Sequence, residues 1–123
     1  GQLNPSSSYT DGLFATIKIN IKNSCTTNGT GTLYLETLNT TSSNLYREGL
    51  LNYQVVKDGT ATNLKGNITK SGEIALDIGT LTKASSASTT YKIYVWVDKE
   101  VVINSDANSK YYGKIRATAT QGK

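Results

Sequence analysis

The sequence predicts an all-β protein, an antiparallel β-sandwich of immunoglobulin-like or jelly-roll type with seven to eight strands. Apolar and polar residues alternate in short runs, as on half-buried strands. Turn-forming residues separate these runs about every 8 to 15 residues. No window has a convincing helical period, since the best attempt, residues 42–52, is short and contains Gly49.

The strands follow a polar opening segment. Residues 1–12 contain Pro, Ser, Asp and Gly and predict a flexible lead-in, which leaves residues 13–123 as a single domain. In the first predicted strand, alternate residues from Leu13 onward are apolar, whereas Thr16 and Lys18 belong to the opposite, polar face. The predicted strands are residues 13–22, 32–38, 51–56, 61–64, 72–79, 91–102 and 112–121.

The strongest turn signal is the dipeptide Asp58-Gly59, between residues 51–56 and 61–64. Asp and Gly tolerate the positive φ angles that a type I′ turn requires. The sequence therefore predicts a tight β-hairpin at this position.

The stretch "YKIYVWVDKE", residues 91–100, alternates like a strand but is apolar on both faces. One face carries four apolar side chains, and the other carries two aromatic rings flanked by Lys92 and Asp98. The first set is Tyr91, Ile93, Val95 and Val97; the second is Tyr94 and Trp96.

Three interpretations of this strand differ in what the aromatic pair contacts. The loop from Val101 to Tyr112 folds over the pair, so that Tyr111 and Tyr112 pack beside Trp96. Alternatively, the rings form an exposed platform that stacks on sugars or packs on a protein partner. A reversed register would expose the aliphatic face, at roughly 1.5 to 3 kcal/mol for each unburied side chain. We discard the reversed register and favour the covered arrangement.

The inventory of reactive residues argues against an enzyme and against a bound cofactor. The chain has no histidine, which excludes a Ser-His-Asp triad and any His-ligated zinc site. Its nine acidic residues are scattered and form no recognisable catalytic pair. Cys25 is the single cysteine, so no internal disulfide forms, and we interpret it as an incidental loop thiol.

The formal net charge of +4 is spread along the chain without a basic run. This distribution is not that of a nucleic-acid-binding protein, and it gives at most a mild attraction to anionic cell-wall polymers. No apolar run approaches the ~20 residues that a membrane-spanning helix needs.

One segment resembles the start of a calcium-binding loop. In "DANSK", residues 106–110, Asp106 and Asn108 supply oxygen atoms at alternate positions. The glycine and the closing glutamate of such a loop are missing. We therefore interpret the segment as an Asx-rich turn and predict no metal site, with Asp106 and Asn108 as the candidate ligands if calcium binds.

Two stretches carry a family resemblance. "TYKIYVWVD" followed by "NSKYYGKIRATATQ" resembles the C-terminal third of small Gram-positive (Firmicutes) cell-surface sandwiches, over about residues 89–121. The camelysin family, which includes biofilm-matrix fibre proteins, has this ending. The resemblance implies a secreted or membrane-anchored extracellular domain whose anchor would lie upstream of Gly1. A metalloprotease label sometimes attached to camelysins does not transfer to a chain without histidine.

Together these observations predict a non-catalytic structural or adhesive domain at a bacterial cell surface. Its expected partners are a cell-wall polymer, a glycan or another surface protein, and the candidate contact residues are Tyr94, Trp96, Tyr111 and Tyr112. The alternatives are a carbohydrate-binding module that uses surface aromatics, and a phage or virion surface domain. We expect the isolated domain to be mainly monomeric, because the candidate edge strands carry Lys and Asn, which discourage strand pairing.

Overall fold

The computed structural model describes residues 5–19, 29–81, 89–103 and 109–121. Within these ranges the chain contains eight strands, two short 3₁₀ turns and no α-helix, which confirms the predicted all-β fold. The 3₁₀ turns are Tyr9–Asp11 and Ser43–Tyr46. The strands are β1 Pro5–Ser6, β2 Leu13–Ile19, β3 Gly29–Thr37, β4 Leu51–Lys57, β5 Thr60–Asn67, β6 Gly72–Leu81, β7 Thr89–Asp98 and β8 Gly113–Gln121.

The strands form two sheets. In the larger sheet the order is β1-β7-β4-β5, and β2 also pairs with β7, on the side that β1 continues. The smaller sheet has the order β6-β3-β8. Every pairing is antiparallel except that of β1 with β7, which is parallel.

The predicted hairpin between β4 and β5 is confirmed. Asp58 has φ 47° and Gly59 has φ 84°, as both central residues of a type I′ turn require. The Asp58 carboxylate also accepts a hydrogen bond from the backbone N–H of Thr90, at 2.9 Å. This bond ties the turn to the first residues of β7.

The core lies between the two sheets and includes the side chains on the aliphatic face of β7. Tyr91, Ile93, Val95 and Val97 are all buried, so the discarded reversed register is not the one the protein adopts. The alternation of β3 likewise buries Leu33 and Leu35 against them. Other buried members of the core are Leu45, Leu50, Leu51, Val55, Ile68, Leu76 and Tyr111.

Strand β7 ends earlier than the sequence predicts. The alternation predicts one strand over residues 91–102, but β7 ends at Asp98. The Asp98 carboxylate accepts a hydrogen bond from the backbone N–H of Glu100, and its carbonyl accepts from Val101 and Val102. An Asx turn of this kind offers the backbone an alternative to the sheet ladder, and it stops the strand.

The described part of the opening segment, residues 5–12, is also more regular than predicted. No element was expected there, yet Pro5 and Ser6 pair with Val97 and Asp98 of β7. The backbone N–H of Lys99 donates to the carbonyl of Ser6 at 3.1 Å. We call residues 5–12 the strap, because they leave the edge of β7, cross its outer face and return as β2.

Candidate binding surface

The outer face of the larger sheet carries four aromatic side chains close together. Tyr94 and Trp96 project from β7, opposite in direction to the buried Ile93 and Val95. The strap and β2 add two more rings. We call this set, Tyr9, Phe14, Tyr94 and Trp96, the aromatic face.

The rings of the aromatic face contact one another in edge and tilted geometries. The Tyr9 ring lies 5.1 Å from Tyr94, at 67°, and 6.2 Å from Trp96. The Phe14 ring lies 5.4 Å from Tyr94 on the other side. Such pairs contribute about 0.5 to 1.5 kcal/mol beyond area burial. As a result, Tyr9, Tyr94 and Trp96 are half-buried, whereas Phe14 remains 57% exposed.

The strap holds Tyr9 in this place through a close backbone approach. A methyl group at Gly12 would lie 2.3 Å from the carbonyl oxygen of Val95 and 2.9 Å from Cβ of Trp96. Only glycine allows the strap to approach β7 so closely. The Ser6 hydroxyl donates to the Asp11 carboxylate at 2.6 Å, which closes the strap on itself.

Side chains that pair across neighbouring strands form rows on the outer face of the sheet. Two such rows extend from the aromatic face and continue with polar side chains. The first row runs from Phe14 to Tyr94, then to Gln54 of β4 and Lys65 of β5. Gln54 is buried, and its amide nitrogen donates to the carbonyls of Val55 and Thr62. This amide therefore supports the sheet and is not available to a ligand.

The second row begins at Trp96 and continues to Asn52 of β4 and Asn67 of β5. The Asn67 amide donates to the side-chain oxygen of Asn52. Asn67 is exposed and Asn52 is half-buried. The Asn52 amide nitrogen also donates to the carbonyls of Gly49 and Leu50, so Asn67 is the exposed amide of this row.

Positive charge lies beside the aromatic face. The Lys92 ammonium group is 4.9 Å from the centroid of the Phe14 ring, a cation–π distance. Lys18 lies further along β2 on the same side as Phe14, and Lys65 ends the first row. Within the described ranges, none of these three lysines forms an ion pair.

The opposite sheet has a different surface. There Arg116 of β8 lies over the Tyr34 ring, 3.8 Å from its centroid, and pairs bidentately with Glu73 of β6 at 2.9 and 3.0 Å. The hydrogen bond from Arg116 lowers the pKa of Glu73 below its usual range. These three side chains come from all three strands of the smaller sheet, and the charges of Arg116 and Glu73 neutralise each other.

The structure separates the four predicted contact residues. Tyr94 and Trp96 share the aromatic face, but Tyr111 is buried in the core, where its hydroxyl lies 3.1 Å from that of Thr37. Tyr112 is 40% exposed and lies on the inner side of β7, near Ile93 and Val95. The expectation that Tyr111 and Tyr112 pack beside Trp96 is therefore wrong. Whether any of the four binds a partner stays a prediction.

The covering of Trp96 also comes from another segment than expected. Val101 and Val102 of the 101–112 loop pack against the core, whereas Ile103 is exposed. Tyr9 of the strap contacts Trp96 instead. The sequence analysis did not identify Tyr9 or Phe14 as site residues. Phe14 could have been identified, because it alternates with Thr16 and Lys18 and is therefore an aromatic residue on the polar face of β2.

An apolar groove of about 350 Å³ opens between β2 and β8, where the two sheets meet at one side of the sandwich. Its rim includes Leu13 and Tyr112, and its floor includes Leu35, Val95 and Ile115. This groove lies on the inner side of β7, away from Trp96. Phe14 of the aromatic face also lines this groove, so the two surfaces adjoin at β2.

The described residues contain neither a group of metal-ligating side chains nor a helix that could span a membrane. The candidate calcium ligands Asp106 and Asn108 lie outside those residues. Elsewhere in the described ranges, no three His, Cys, Asp or Glu side chains lie close enough to hold an ion. The same ranges contain no helix with the length and apolarity needed to cross a bilayer.

Comparison with known proteins gave no assignment. Neither a scan against protein-family models nor searches of curated proteins and of solved structures returned a match.

Proposed function

We propose that this chain is a non-catalytic β-sandwich domain with a structural or adhesive role at a bacterial cell surface. The observation that carries the proposal is the aromatic face, where Phe14 keeps more than half of its surface in water. A cluster of large aromatic side chains that keeps part of its surface in water is typical of an interaction surface. The resemblance of the β7–β8 region to Gram-positive surface sandwiches supports the location.

The surface chemistry fits this role better than it fits a reaction. The aromatic face is flanked by lysines and amides and not by paired carboxylates. The absence of histidine from the sequence removes the commonest general base near neutral pH. Such a surface supports contact with a polymer or with another protein.

Envelope binding tests the proposal directly. The purified domain is mixed with envelopes of the source bacterium and sedimented, and intact cells are labelled with an antibody against the domain. We expect the domain to sediment with the envelopes, the Phe14→Ala variant to sediment less, and intact cells to bind the antibody. A domain that stays in the supernatant, together with cells labelled only after lysis, would refute the proposal.

A carbohydrate-binding module is the second candidate, favoured by the Asn52–Asn67 pair beside Trp96. Aromatic rings stack on sugar C–H faces, and amides hydrogen-bond sugar hydroxyls. A sugar array separates the candidates, because a purely structural domain leaves every spot unlabelled. A phage or virion surface domain remains the third candidate, and capsid or tail genes beside this gene would favour it.

A further inference from the structure

We propose that the aromatic face binds an acidic polysaccharide built from uronic acid units, with a sugar ring against Phe14 and its carboxylate on Lys92. This inference rests on the adhesive form of the proposed function and names the ligand class for it. The carboxylate would be recognised by charge, and the pyranose ring by stacking.

The first step of the argument is that Phe14 offers an accessible ring. Phe14 contacts Tyr94 and Lys92, yet 57% of its surface remains exposed. It stands on β2 directly opposite Tyr94, so the two rings form one continuous apolar area. An exposed aromatic of this kind is a stacking platform for the C–H face of a sugar.

The second step is that a cation already lies over that ring. The Lys92 ammonium group lies 4.9 Å from the Phe14 centroid, so one ligand group can touch the ring while a neighbouring carboxylate meets Lys92. Along the described strands, no carboxylate of the protein pairs with Lys92, Lys18 or Lys65. These three charges are therefore available to an anion that brings several carboxylates.

The third step is the spacing of these groups. Phe14 and Lys65 end the same row, three strand gaps apart, which is about 14 Å at the usual strand separation. The neighbouring row exposes Asn67, whereas the Asn52 amide donates to two backbone carbonyls and accepts from Asn67. A short stretch of polymer lying across the strands would meet a ring, two cations and one exposed amide.

This combination selects uronic acids among polymers of cell surfaces. A neutral glycan would use the ring and the amide but would leave the lysines unpaired. A polyglycerol phosphate would satisfy the lysines but has no pyranose ring in its backbone to stack on Phe14. A chain of sugar rings that carry anionic groups matches both parts of the aromatic face, and in a uronic acid the carboxylate is attached directly to the pyranose ring.

Calorimetry with defined oligomers tests the inference. The probes are four-residue oligomers of galacturonate, glucuronate and mannuronate, the same oligomers with carboxylates reduced to alcohols, and polyglycerol phosphate. We expect at least one uronate to bind at low ionic strength and its reduced form to bind at least about tenfold more weakly, because a charged hydrogen bond is lost. The affinity should fall as salt is added.

Variants locate the site. Phe14→Ala and Lys92→Gln should each weaken uronate binding about tenfold. Two controls remove the same kinds of group elsewhere: Tyr34→Ala takes a ring from β3 in the opposite sheet, and Lys70→Gln takes an exposed lysine from the segment between β5 and β6. Both controls should change the affinity by less than about twofold, and circular dichroism should show all four variants folded.

Three results would overturn the inference: no uronate binds, the reduced oligomers or polyglycerol phosphate bind as tightly, or Phe14→Ala and Lys92→Gln bind like the unaltered domain. Its failure can be told apart from that of the proposed function. A domain that sediments with envelopes but binds no uronate refutes the inference alone. A domain that binds no uronate and stays in the supernatant, with cells labelled only after lysis, refutes both.

Discussion

At the scale of single residues, two tyrosine hydroxyls of the sandwich differ in their hydrogen bonding. The Tyr111 hydroxyl lies 3.1 Å from the hydroxyl of Thr37, which is itself buried. The Tyr46 hydroxyl is buried and has no hydrogen-bond partner among the described residues. Because a buried polar group without a partner costs free energy, removing each hydroxyl should have an opposite effect.

Tyr111→Phe should therefore lower the free energy of unfolding by about 1 to 2 kcal/mol, because it leaves the Thr37 hydroxyl buried without this partner. Tyr46→Phe should raise it by up to about 1 kcal/mol. Urea unfolding of the two variants, each a control for the other, measures both changes. Destabilisation by Tyr46→Phe would mean that its hydroxyl is hydrogen-bonded after all.

Burial of tyrosines also makes stability depend on alkaline pH. Burial raises the pKa of Tyr111 above its usual value, although the Thr37 hydrogen bond works against this, and burial raises the pKa of Tyr53 and Tyr91 as well. The unfolded chain loses these protons near pH 10, while the folded chain retains them. Stability is therefore fully present below about pH 10 and falls as pH rises through the folded-state pKa values.

Unfolding measured from pH 8 to pH 11 should show this loss, and absorbance near 295 nm should show tyrosines that titrate late. Tyr111→Phe should remove one late-titrating group and make the decline less steep. A stability that stays level to pH 11 would contradict the assignment.

At the scale of elements, the strap explains why β7 can be apolar on both faces. Its Tyr9 contacts Tyr94 and Trp96, and its path depends on the close approach of Gly12 to Val95. Because the obstructing atom is a backbone carbonyl, a side chain at Gly12 forces the strap to move. The cover over Trp96 is thus set by one glycine.

Gly12→Ala should lower stability by about 1 to 3 kcal/mol, the usual range for overpacking. It should also increase acrylamide quenching of Trp96, the only tryptophan of the sequence. Ser7→Ala is the control, since Ser7 is exposed in the same strap and should leave both quantities unchanged. If Gly12→Ala leaves quenching as it was, or if the unaltered protein is quenched like free indole, the strap does not cover Trp96.

At the scale of the whole molecule, the strands at the sheet edges bear on assembly. The sequence predicted edges near residues 60–64 and in the first strand, and β5 and β2 are indeed at the edges of the larger sheet. β5 exposes Lys65 and Asn67, and β2 exposes Lys18. Charged side chains on an edge discourage pairing with another chain.

We therefore expect the isolated domain to be mainly a monomer at micromolar concentration. Light scattering coupled to size-exclusion chromatography measures the mass, which should stay near 13.2 kDa. Replacement of Lys18 and Lys65 by Val should increase association if the lysines protect the edges. A stable large oligomer of the unaltered domain would contradict the prediction.

The sequence by itself determined the features that depend on neighbouring residues. The period of two fixed which residues of β7 share a side, and the cost of exposing the aliphatic side placed Ile93 and Val95 correctly in the core. The backbone freedom of Asp58-Gly59 fixed the hairpin. Both are local, because alternation and turn chemistry involve residues adjacent in the chain.

Only the tertiary structure decided which segments meet on the outer face. Tyr9 covers Trp96 because β1 pairs with the far end of β7, and Tyr111 enters the core because its hydroxyl meets Thr37 of β3. These contacts join residues that are distant in sequence. Alternation predicts which side of a strand a residue occupies, but it does not predict which strand lies next to it. The polar opening segment gave no apolar run to reveal β1, since two backbone-paired residues and one glycine were enough to hold it.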